Sequence, residues 1–304
     1  TDKYKTTSGM DNVHAGVSVG NNAAQVSGGY NTANDRASGT THNNSNVSAN
    51  DIIINTGNDA KFAGANVNAD DSLKMDIGGD LIVESKQDSH YSKGNSWGVN
   101  ASGGTGINGE SRPSGGGGFH VGKSESDSMW VSDQTELTGG TVEINVDGTT
   151  KIKGGMIAAG EYDENGKFVD NGQLDLVTGG LEFEDLFDYS HTSESGGGVQ
   201  SNWGQTTNKA TSNKHLDGTT TVTVKDKGQE TEQTTHATIG EGSISVGGEK
   251  LDSDDESLAG LNRDTDNAQE ITKDEVTGAL DASVTVDNRL FTPEGRKNIA
   301  EQHK

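Results

Sequence analysis

The chain has 304 residues, among them 44 glycines, 2 prolines and no cysteine, and carries a formal net charge of −24 from 47 acidic and 23 basic residues. Only 28% of residues are hydrophobic and 5% aromatic, too few for one thick core, which leaves disorder or a quasi-one-dimensional fold whose thin core is extended by stacking. Phosphate-backbone binding needs clustered Lys or Arg and none is present, so nucleic acid is not an expected partner.

The acidity reads as solubility and self-repulsion. The chain opens Thr1-Asp2-Lys3-Tyr4-Lys5 without an apolar stretch, and no run of about 18 apolar residues marks a membrane helix. It ends at Lys304 inside a helical pattern, so both ends are expected to be cuts in a longer chain. The lack of cysteine is compatible with export through an oxidising compartment but does not decide it.

Residues 1–46 are rich in Gly, Asn, Ser and Thr and read as an excursion leading into the main body. Within them the alternation of Val13, Ala15, Val17 and Val19 suits one edge of a hairpin, and the rest has loop chemistry. At Val47 the pattern changes. Val47 to Asn66 and Val67 to Glu84 each hold a short alternating strand, a Gly/Asn/Asp turn and a second strand, a period of about 20 residues.

A larger repeat of about 90–100 residues encloses these. Asp51-Ile52-Ile53-Ile54-Asn55 aligns with Thr141-Val142-Glu143-Ile144-Asn145, and Lys61-Phe62-Ala63-Gly64 with Lys151-Ile152-Lys153-Gly154. Leu73 to Gly79 recurs as Leu174 to Gly180, and the cluster Asp88-Ser89-His90-Tyr91 as Asp188-Tyr189-Ser190-His191. Each copy then enters a Gly/Ser-rich stretch holding Trp97-Gly98-Val99 or Gly197-Gly198-Val199.

The predicted fold is all-β: a right-handed parallel β-helix (β-solenoid) with extra-helical Gly/Ser-rich excursions and a short mixed C-terminal segment. One rung cannot bury its own apolar side. Stacking turns Ile54, Met75, Ile144 and Leu176 into a continuous inward ladder, with glycines at the corners for positive φ and an amide ladder at Asn55 and Asn145. The solenoid is placed at 47–250, with modules at 47–135 and 137–217. The block from Thr219-Val222-Val224 to Gly248 supplies the last rungs. Residues 251–304 are an acidic linker with a helical turn at 267–273, a strand at 280–286 and a final helix opened by Thr292-Pro293-Glu294.

The stretches from Gly78 to Asp88 and from Lys151 to Ala158 resemble the repeats of filamentous-haemagglutinin-like exoproteins. His236 to Gly242, Ala259 to Thr265 and the ending Phe291 to Lys304 resemble the second haemagglutinin-repeat region of contact-dependent growth inhibition effectors, at its junction with the pre-toxin region. The resemblance implies a parent exported by two-partner secretion through an outer-membrane β-barrel transporter. That parent would be displayed on the bacterial cell surface and carry a C-terminal toxin. The repeat region would act at the outer membrane of the target cell, or on its proteins, in toxin passage.

No catalytic residue, cofactor or metal site is expected. Asp70-Asp71 and Asp252, Asp254 and Asp255 sit at a turn and in a linker and read as solvated charge, and the calcium-binding nonapeptide pattern does not recur after Gly78-Gly79-Asp80. His90 and His191 read as structural. Trp97, Trp130 and Trp203 lie in or beside the excursions, either fastening them to the rod or forming a contact surface for glycan, lipid or protein. The expected function is a structural and translocation segment. An adhesin module and a polysaccharide-lyase-like enzyme are the rivals. The strands read as too short and too polar to cross a membrane as a barrel, which takes about 9–11 residues with an apolar outward face.

Overall fold

The computed structural model describes residues 1–20, 23–107, 112–207 and 214–302. The chain is mostly β, and two kinds of strand alternate along it. It begins with long β1 (Asp2–Val19) and β2 (Ala23–Thr41), then short β3 (Ser45–Thr56), β4 (Ala60–Ala63), β5 (Ala65–Ile77) and β6 (Leu81–Glu84). Long β7 (Asp88–Gly106) and β8 (Ser114–Trp130) follow, then β9 (Glu136–Lys153), β10 (Met156–Tyr162), β11 (Phe168–Asp170) and β12 (Leu174–Glu184). Long β13 (Leu186–Thr207) and β14 (Lys214–Thr235) come next, then β15 (Thr238–Ile239), β16 (Gly242–Val246) and β17 (Glu249–Lys250), and last long β18 (Gln269–Asp287) and the helix α1 (Pro293–Gln302).

The shorter strands form a parallel stack. β3 pairs with β5, β5 with β9, β9 with β12 and β12 with β16, so that Ile54, Met75, Ile144, Leu176 and Ile244 fall in one column. A second column runs Phe62, Val83, Ile152, Phe183 and a third Val67, Leu137, Ile157, Ile239. All three belong to a single buried cluster. Burial of each such side chain stabilises by about 1.5–3 kcal/mol relative to exposure, and alternation in β9 and β12 sends the polar partners outward. The column expected at Ile54, Met75, Ile144 and Leu176 is therefore present. The amide ladder is not: Asp76 lies between Asn55 and Asn145, and Asn145 donates to its carboxylate at 3.1 Å.

Two corners decide where the chain goes. At one, a Cβ on Gly78, Gly148 or Gly179 would meet a backbone oxygen of the preceding layer at 2.9, 2.6 or 2.5 Å. Glycine is needed there for close approach and not, as expected, for positive φ. At the other corner Gly64 and Gly154 do have φ of +63° and +56°, and the chain turns straight into the next layer. One layer later Ser85 and Asp185 follow β6 and β12, and the chain leaves the stack into a long hairpin. Each also closes the gap on return: Ser85 Oγ accepts from the N–H of Thr135 at 2.8 Å, and Asp185 Oδ1 from that of Ala237 at 2.8 Å.

The long strands form a second, antiparallel sheet ordered β1-β2-β7-β8-β13-β14-β18. The Gly/Ser-rich excursions are thus strands of 17 to 22 residues laid side by side, because Gly, Ser, Thr and Val alternate on faces open to solvent. They are hairpins lying outside the stack, longer than the short strands read from the sequence, and the loop assignment for most of 1–46 was incorrect. Thr219-Val222-Val224 lies in β14 of this sheet and not in a last layer, since its partners are Asn202, Val199 and Gly197 of β13. The second excursion accordingly closes at Thr235, beyond the expected boundary at 217.

Residues 251–268 are not a free linker. Leu258 and Leu261 join the buried cluster over the last layer, held by 3-10 turns capped by Asp255 and Asp264. From Gln269 the chain runs as strand, where a helical turn was expected at 267–273. Ile271 pairs with Gln233, and the edge of β14 supplies backbone partners that an isolated turn would lack. The final helix is present through Gln302; its expected end at Lys304 lies outside the described residues.

Candidate functional site

The antiparallel sheet is where the molecule presents chemistry. Register places Val13, Tyr30, Val99, Phe119, Val199, Val222 and Val284 opposite one another across every strand of it. Side chains directly opposite share a face, so this is one apolar row. Trp97, Val121 and Val224 stand two residues along on the same strands and face, and so does Trp203 four residues beyond Val199. Phe119 is 52% exposed, Trp97 46% and Trp203 44%. The reverse face, through Asn12, Asn31, His120 and Thr223, is polar.

Glycines shape the apolar face. Trp203 lies over Gly115, where a Cβ would come within 2.8 Å of the indole. Trp97 packs on Tyr30 with ring centroids 5.2 Å apart. Tyr30 donates to Asp11 at 2.9 Å; hydrogen bonds from Thr32 and Tyr30 hold that carboxyl below its usual value, and Asp11 in turn raises the phenol.

Trp97 and Trp203 therefore share one surface well out along the strands, away from the stack. Trp130 does not join them: it closes β8 opposite Asp88, half-buried beside the stack and on the other face. The row itself was missed as a unit. Its signal was an apolar residue on each side of a glycine or polar one, as in Trp97-Gly98-Val99, Phe119-His120-Val121 and Val222-Thr223-Val224, recurring along the chain.

The junction of sheet and stack is polar and repeated. Asp88 accepts from the N–H of His42 at 2.6 Å and from Ser132 Oγ at 2.8 Å. Asp188, buried, accepts from the N–H of Val131 at 3.1 Å, Gln87 at 2.8 Å, Gln233 at 2.9 Å and Thr235 at 2.7 Å. His90 bonds Tyr4 across the sheet, in keeping with a structural role. Nearby, burial raises the Glu136 carboxyl even though Tyr162 donates to it, and burial with the adjacent Glu136 raises the phenol of Tyr162.

Among the described residues no group of three or more His, Asp or Glu is arranged to hold a metal, and no helix is long and apolar enough to cross a membrane. Asp70-Asp71 falls at a bulge between β5 and β9, whereas Asp252, Asp254 and Asp255 lie by the turns over the last layer. The two acidic groups thus sit on separate elements.

Residues 1–101 match the hemagglutinin repeat family. That span takes in the first hairpin, β3 to β6 and most of β7, which is about one structural module. A hemolysin of Serratia marcescens is 49% identical over 49 residues, 16% of this chain and 3% of that protein's length. No solved structure matches the chain. The hemagglutinin-repeat segment thus supplies both halves of the design: a layer pair for the stack and a hairpin for the sheet.

Proposed function

We propose that this chain is a non-enzymatic structural and translocation segment of a secreted bacterial surface exoprotein, and that its parallel stack is a short right-handed β-solenoid. The column of Ile54, Met75, Ile144, Leu176 and Ile244 carries the reading. It builds length and stiffness from a repeated unit, and the hemagglutinin-repeat match and the likeness to a hemolysin favour an exported parent. In this reading a two-partner secretion transporter in the outer membrane exports the chain, and each layer templates the next as it emerges. The parent carries a C-terminal toxin toward the outer membrane of a neighbouring cell or a protein in it. Residues 251–304 end the solenoid and begin the pre-toxin junction.

The test is delivery by the parent protein with residues 47–250 removed. Loss of delivery with normal export and display is expected. Undiminished delivery overturns the proposal.

An adhesin reading is favoured by one observation, the shared exposed face of Trp97 and Trp203. Binding of the purified chain to cells that falls when both are changed to Ser, with the fold intact, selects it.

A further inference from the structure

We propose that the apolar face of the antiparallel sheet is the contact surface for a second copy of this chain, packed sheet against sheet. The row centred on Phe119 crosses every strand, yet none of the described residues covers it, while the reverse face is polar. Seven strands spaced about 4.8 Å apart, with three rows of side chains along them, span about 600 Å² of this face; the central row is apolar throughout, and Trp97, Val121, Val224 and Ala282 extend it into the next. That face approaches the roughly 800 Å² per partner of a standard stable interface, and a contiguous exposed apolar row within it, unlike solitary surface residues, marks a contact site.

A second copy fits better than an unrelated partner because the row is self-complementary. It lies across the strands at one level, and Phe119 is on β8, the middle strand of the sheet. A twofold axis along the row lays each row over its counterpart at about the 10 Å separation of packed sheets. It also reverses the strand direction, so the two stacks project from opposite ends. With a net charge of −24 per chain, this arrangement keeps the acidic bodies far apart. Most of the charge on the same face, with Lys93, Glu125 and Asp127, lies nearer the stack and outside the shared band, while Asp11, on the edge strand β1, accepts from Tyr30. Small residues beside the row, such as Ala101 and Gly117, let the opposing sheet approach.

The chain has no cysteine, so single cysteines report the contact directly. Purified residues 1–304 are examined by sedimentation over a concentration series, together with V99T, F119T and V222T combined. Threonine keeps the strand preference while removing apolar area. A concentration-dependent dimer is expected for the parent chain, weakened at least tenfold in the triple variant, with the same circular dichroism spectrum. Across sheets about 10 Å apart two thiols are too far for a disulfide, so a bis-maleimide about 8 Å long is used: it is expected to link Phe119→Cys into a dimer and not His120→Cys, which is on the reverse face. The proposal is overturned by any of three results: a monomer up to about 100 μM, including one that binds lipid vesicles instead; a dimer unaffected by the triple variant; or cross-linking at His120 and not at Phe119. Should the triple variant misfold, the cysteine pair still decides.

Discussion

Asp188 accepts the N–H of Val131 at 3.1 Å, and Asp88 one module earlier accepts that of His42 at 2.6 Å. In each case the residue opening one hairpin holds the residue that ends the hairpin before it. This hydrogen bond fastens the base of the seam along which β2 pairs with β7 and β8 with β13. Asp188 is the better buried of the two and satisfies both oxygens with four donors.

Asp188→Ala leaves the N–H of Val131 and the donors of Gln87, Gln233 and Thr235 without their acceptor. Each buried donor left unpaired costs about 1–3 kcal/mol, so destabilisation of at least about 3 kcal/mol is expected by denaturant titration. Asp188→Asn should be little better, because its amide presents a donor where two donors already point. A loss below about 1 kcal/mol for either variant contradicts this account.

The column through Ile144 predicts a sharp contrast. Ile144→Ala opens a cavity between Met75 and Leu176 and should cost about 2–5 kcal/mol. Ile53→Ala, on the outward face of β3 at 68% exposure, should change stability by no more than about 0.5 kcal/mol. Similar effects at the two positions would show that the stack is not the core of the molecule.

Much of this was legible because stacked layers repeat. The alignment of Ile54 with Ile144, and of Gly64 with Gly154, holds in the structure because equivalent residues stand in equivalent layers. The hairpins were harder to read. A Gly/Ser/Asn-rich strand with both faces in solvent lacks the one-sided burial that writes a strong period-two signal, so only Val13 to Val19 of β1 read as a hairpin edge, while β2 looked like a loop and β14 like a layer. Val99 and Val199 were noticed as recurring, but what makes them one surface is lateral pairing through Phe119, a long-range register that no local pattern carries. Residues 251–268 misled for a related reason: the acidic run dominates, and Leu258 and Leu261, the residues that bury, are isolated within it.

The corner glycines differ in what they tolerate. A Cβ on Gly154 meets the Leu186 side chain at 2.7 Å with φ at +56°, whereas one on Gly64 finds an oxygen of Asn44 at 3.1 Å with φ at +63°, and Gly57 has open space. The left-handed conformation alone costs roughly 1–2 kcal/mol for a residue with a Cβ. Melting of the three alanine variants should therefore rank Gly154→Ala as most damaging, then Gly64→Ala, with Gly57→Ala near neutral. Any other order refutes the assignment of the two corners.

Glu136 gives a pH dependence of definite sign. Burial holds its folded pKa above the ordinary 4.5, so the folded state binds the proton more tightly than the unfolded chain does. Its stabilising contribution is complete below 4.5 and disappears as pH rises through the folded value. Glu136→Gln, which keeps an acceptor for Tyr162, should be more stable than the parent chain at pH 7, with the difference gone at pH 4. A difference that instead grows on acidification would mean that the carboxylate, and not the acid, is the favoured form.

The last prediction concerns the module itself. Two stacked layers and two hairpin strands both advance by about 10 Å, twice the 4.8 Å strand spacing, so stack and sheet lengthen in step. Deleting residues 65–154 joins Gly64 to Gly155 and removes β5 to β9. In the stack, β10 and β12 then meet β3 and β4 in place of β5 and β6. In the sheet, β13 meets β2 in the place of β7, its equivalent one module earlier. Deleting residues 65–84 alone shortens the stack by one layer and leaves the sheet unchanged, so hairpin and layer fall out of step. The first deletion should keep a cooperative β-rich melting transition and the second should lose it, as followed by circular dichroism. Equal tolerance of both would show that the stack and the sheet are mechanically independent. Loss of folding in both would show that layers from different modules are not interchangeable.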